Sequence, residues 1–155
     1  MSNRFMARAI QLSIENVTSG RGGPFGAVVA RGGEIIAEGV NSVTATNDPT
    51  AHAEIIAIRE ACRKLGAFEL IGCEIYTSCE PCPMCLGAIY WARPDRVYFG
   101  NTAADAANAG FDDSHIYDEI PKAHPDRKIP MTQMMRDEAI EAFRAWEKEV
   151  KKVRY

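Results

Sequence analysis

Apolar side chains recur along this chain at two different periods, and the switches between them mark its elements. Met6, Ile10, Ile14 and Val17 return at the spacing of one helix face, and Gly20 to Gly23 end the run. The pattern predicts an amphipathic opening helix buried along that stripe. Phe25 to Ala30 and Glu34 to Val40 are short strand-like runs parted by Arg31-Gly32-Gly33, which predicts an antiparallel hairpin with a glycine turn. Asp48-Pro49 then offers an N-cap followed by proline at the first helical position. Ile55, Ile58, Cys62 and Leu65 supply the buried stripe of a second helix, with His52 and Glu54 in its first turns.

Further on, Glu74 to Thr77 reads as a strand, about Pro83 to Trp91 as a third helix and Arg96 to Gly100 as a fourth strand. Strands alternating with helices after a hairpin predict a parallel portion of sheet covered by helices on both faces, an α/β fold. From Asn101 to Pro130 the chain is rich in Ala, Asp, Asn, Gly and Pro, which predicts loop and short helix, with a last short strand near Ile129 to Gln133. Asp137 to Lys151 predicts a closing helix whose apolar side includes Ile140, Phe143, Trp146 and Val150. With 155 residues and no visible repeat or linker, the expectation is a single domain over 1–155.

Composition narrows the function more than the fold. A formal charge of −3 gives no net attraction to phosphate backbones or anionic lipid, so neither nucleic acid nor membrane is the expected partner. The first residues lack the apolar segment of a signal peptide, and a cytoplasmic protein is expected. Of five cysteines, Cys79, Cys82 and Cys85 crowd together, which in that setting suggests a metal more than disulfides. Cys62 and Cys73 read as core fillers.

A catalytic zinc site needs three protein ligands and one open position for water, and imidazole with two thiolates is a suitable set. His52, Cys82 and Cys85 provide it: the Cys-x-x-Cys spacing lets both sulfurs reach one ion at a helix N-terminus, whose partial positive charge favours thiolate. Glu54, two residues after the histidine, can reach a metal-bound water without joining the ligands. A His-x-Glu segment followed by Pro-Cys-x-x-Cys marks zinc deaminases, in which the glutamate is general acid and base. Here it reads His52-Ala53-Glu54 and Pro81-Cys82-Pro83-Met84-Cys85. The bland alternative is a closed structural zinc site with Cys79 as fourth ligand. The adjacent Glu54 and the lack of a second Cys-x-x-Cys or His pair argue against it. Phe25 is the expected stacking residue for a flat substrate, and Trp91 either packs under the site or lines it.

On these residues the chain resembles the cytidine and deoxycytidylate deaminase superfamily, and more closely its short bacterial guanine deaminases. The resemblance rests on Gly23 to Val28, Asn47 to Glu54, Thr77 to Pro94 and Ala109 to Ser114. It implies a three-layer α/β/α cytidine-deaminase-like fold with a mixed five-stranded sheet, one zinc ion per subunit, and hydrolysis of guanine to xanthine and ammonia. It further implies that Asn41, Asp113, Tyr155 and the backbone at Ala53 belong to the base-binding site, with Asp113 able to assist proton transfer. A homodimer that exchanges its C-terminal segments is implied as well. Rival readings are a tRNA adenosine deaminase, which would need a basic surface along a phosphate backbone, and a cytosine or triazine aminohydrolase.

Overall fold

A computed structural model describes residues 3–155, which separate into two compact units, one ending at Asp113 and the other Ser114–Tyr155. The first holds a four-stranded sheet ordered β2-β1-β3-β4, formed by β1 (Gly26–Arg31), β2 (Glu34–Val40), β3 (Cys73–Cys79) and β4 (Arg96–Asn101). β1 is antiparallel to β2 and β3, while β3 and β4 are parallel, as expected of strands joined through a helix. The expected hairpin is present. Gly32 and Gly33, at φ +57° and +84°, form its two-residue turn, a conformation that residues with a Cβ resist.

Alternating strand residues build two cores. Ala27, Val29 and Ile75 face α3 (Ala53–Leu65) and α4 (Pro83–Ala92), whereas Val28, Ala30 and Tyr76 face α1 (Arg4–Thr18). The unit is therefore the expected α/β/α sandwich. Cys73 is buried in the first core and Cys62 packs against it, so both serve as core fillers. Gly39 of β2 has a positional reason: a Cβ there would strike the Ala53 carbonyl, so its absence lets β2 lie against the start of α3.

Three local expectations are corrected. On α1 the buried face is Ala9, Leu12, Ser13 and Asn16, while Ile10, Ile14 and Val17 are exposed. Small residues let the helix approach the sheet, where a Cβ at Gly26 would strike the Ala9 carbonyl, and Ile10, Ile14 and Val17 are left outside. Asp48 does not cap α3. Its carboxylate accepts from the Thr50 amide and hydroxyl at 2.8 and 2.7 Å, closing a turn after the short α2 (Val43–Thr46). The N-cap of α3 is His52.

The third correction is the strand count, four among the described residues and not five: Ile129 to Gln133 forms no strand. Pro130 lacks the amide a ladder needs. After β4 come α5 (Ala103–Asn108), then in the second unit α6 (Ser114–Glu119), a 3₁₀ turn and α7 (Arg136–Lys148). No residue of 114–155 is buried. No helix among the described residues is long and apolar enough to cross a membrane.

Candidate active site

Two helix starts converge at one end of the sheet. His52 precedes α3 in an extended conformation, and Cys82 precedes α4, with Pro83 opening that helix and Cys85 in its first turn. The His52 Nδ1 lies 3.5 Å from both the Cys82 and the Cys85 sulfur. Zinc–nitrogen bonds of about 2.05 Å and zinc–sulfur bonds of about 2.3 Å, at a tetrahedral angle, set nitrogen and sulfur about 3.5 Å apart. The donor set therefore fits one zinc ion per chain, and it is the only such grouping among the described residues. Cys79 stands outside it. Its thiol donates to the Thr102 carbonyl at 3.7 Å, and burial pushes its pKa up to about 11, so it keeps its proton.

The charges in this corner are arranged around Cys82. Hydrogen bonds from the Cys85 thiol and from His52 lower the Cys82 pKa to about 4, while the Cys82 thiolate pushes Cys85 well above its ordinary value and raises His52. These neighbours favour the thiolate at Cys82, the form in which cysteine binds a metal ion.

Glu54, in the first turn of α3, is 6% exposed, and its Oε2 lies 3.5 Å from the Cys85 sulfur. Burial raises its pKa, with the Cys82 charge adding to the effect. A carboxyl beside the ligands that readily takes a proton is suited to general acid and base work.

The surrounding residues divide. The Asn41 amide donates to the Phe25 carbonyl at 3.1 Å, continuing the hairpin pairing, so these two expected base-binding residues are neighbours. Phe25 meets Phe111 edge to face at 5.0 Å between centroids and also packs on the core. Asp113 is half-buried. Its pKa is raised first by burial and then by the Cys82 charge, which places it within electrostatic reach of the ligands. Ala53 is buried between His52 and Glu54. Trp91 stands apart, about 9 Å farther along α4 than Cys85 and 64% exposed. Tyr155 belongs to the second unit, where it lines a cavity of about 660 Å³ with Phe143 and Trp146.

Two residues of this corner went unread in the sequence. Asn16, fully buried on α1, donates at 2.8 Å to both the Gly23 and Asn41 carbonyls, tying the loop before Phe25 to the segment that carries Asn41. Thr77 of β3 contacts Glu54. A lone polar residue inside an apolar element has no spacing signature. Its only signal is its polarity at a position that the periodicity buries.

A zinc-fitting set of one His and two Cys beside a buried glutamate, on an α/β/α sandwich, is the arrangement of a zinc deaminase. Residues 1–101 match the cytidine and deoxycytidylate deaminase zinc-binding region, and the chain belongs to that family of enzymes. It is 56% identical over 151 residues to the guanine deaminase of Bacillus subtilis (strain 168), with 97% of each chain covered. The X-ray structure of guanine deaminase from Bacillus subtilis superposes with a TM-score of 0.96 at 55% identity, over 100% of this chain and 99% of that one. The tRNA-specific adenosine deaminase of Aquifex aeolicus (strain VF5) is 47% identical, but over only 87 residues, 56% of each chain.

Proposed function

We propose that this protein hydrolyses guanine to xanthine and ammonia. The observation that carries the reading is the likeness to a guanine deaminase along the whole chain, second unit included, whereas the tRNA deaminase likeness stops at about half. The formal charge of −3 favours a free base over a nucleic acid in the same direction.

When bound by His52, Cys82 and Cys85, zinc supplies the Lewis acidity that makes water a ready nucleophile near neutral pH. Glu54 takes a proton from the attacking water and passes it to the ring nitrogen beside carbon 2. It then carries the second water proton to the departing amino group, which leaves as ammonia while the oxygen becomes the new carbonyl. Phe25, braced edge-on by Phe111, stacks on the purine. Asn41 recognises the carbonyl and imidazole edge, and Asp113 accepts from the ring N–H and amino group or assists their proton transfer. The backbone at Ala53 lies against the base.

We also infer a homodimer in which C-terminal segments are exchanged and Tyr155 closes the partner's pocket. Support comes from the second unit itself. Phe143 is 68% exposed, Ile129 81% and Val150 95%, and a segment without one buried residue has no core to stabilise it alone. Sedimentation is expected to report twice the 17.1 kDa chain mass, and removal of the last residues to lower turnover; a monomer with full activity would reject the exchange.

The substrate reading is tested by supplying the zinc-loaded protein separately with guanine, adenine, cytosine and an adenosine-containing anticodon stem. Ammonia is expected from guanine. Release from the RNA alone would replace the substrate while leaving the proton chemistry in place.

A further inference from the structure

Glu54 has two carboxylate oxygens, and each has a different neighbour. Oε2 faces the Cys85 sulfur at 3.5 Å, on the ligand side, whereas Oε1 lies 3.2 Å from the Thr77 hydroxyl. Thr77 is 1% exposed, and its hydroxyl also reaches the Cys79 carbonyl at 3.0 Å. We infer that Thr77 is a positioning residue for the deamination: it holds Oε1 of Glu54 so that Oε2 stays turned toward the zinc ligands. The inference rests on the reading above only for the reaction that Glu54 serves.

The argument for a functional role is chemical. Valine would fill the same space, so packing alone does not call for a hydroxyl in this strand. A hydroxyl can donate to Oε1, the carboxylate oxygen that faces away from the ligands, and so fix which oxygen of Glu54 is left on the ligand side; a valine methyl cannot. The hold is stiff because β-branching restricts the side-chain rotamer, and because Thr77 sits inside the sheet, opposite Ala27 on one side and Phe99 on the other.

The test compares Thr77→Val and Thr77→Ser with wild type in zinc content, melting temperature, kcat and KM. The substrate is whichever of guanine, adenine and cytosine the wild type turns over. Thr77→Val is expected to bind zinc as wild type does and to keep KM within about twofold, with kcat lower by about tenfold to a hundredfold. Thr77→Ser, which keeps the hydroxyl, is expected to recover most of kcat. Wild-type kcat in Thr77→Val would overturn the inference. So would equal losses in both variants, or a loss confined to KM or zinc content, since either marks the residue as structural. Turnover of adenine or cytosine in place of guanine would reject the substrate reading and leave the comparison of variants intact.

Discussion

Glu54→Gln is expected to lower kcat for guanine by about 10²- to 10⁴-fold while leaving zinc content and melting temperature close to wild type. Glutamine keeps the size of the side chain and an oxygen for the Thr77 hydroxyl, so the buried corner at the start of α3 stays filled. What is lost is the group that takes a proton from water and returns it to the leaving nitrogen. Burial already raises the Glu54 pKa, so the native carboxyl can bind that proton and release it. Steady-state kinetics with metal analysis on the same samples checks this. Full turnover by the variant would remove Glu54 from the proton chemistry.

Cys82→Ala is expected to lose both the metal and all measurable turnover, with added zinc failing to restore either. Cys82 is the thiolate on which His52 and Cys85 converge, and its removal leaves two donors where a catalytic site needs three. Stability should fall too, because an ion that binds only the folded state stabilises it by about 2.7 kcal/mol at a hundred times its Kd. Chelation of the wild type should give the same lower melting temperature, and zinc should reverse it. Cys79→Ala makes the contrast, since its thiol bonds to Thr102 and not to the ligand group: it is expected to keep zinc and activity. Loss of zinc in Cys79→Ala would revive the closed four-ligand site.

The ligand triad was legible because metal binding imposes a spacing. Cys82 and Cys85 must share one helix start, and His52 and Glu54 must divide ligand and acid duties within one turn, and both constraints appear in one dimension. The opening helix was misread because its burial follows steric need: Ala9 and Ser13 face inward to permit close approach, while Ile14 and Val17 face out. Asp48 has the composition of an N-cap, yet its carboxylate is satisfied within its own turn, and only three-dimensional pairing shows which amide it takes. The fifth strand failed at Pro130, which has no amide to give a ladder. Asn16 and Thr77 were hidden for the opposite reason: each acts through a partner distant in sequence, Asn41 and Glu54, and such pairing leaves no local trace.

The most direct measurement is mass spectrometry of the product when the zinc-loaded protein acts on guanine in oxygen-18 water. The account predicts xanthine carrying one heavy oxygen, with one ammonia released for each guanine consumed and both products formed by Glu54→Gln at least about a hundredfold more slowly. Guanine left intact, or xanthine without the label, would contradict it.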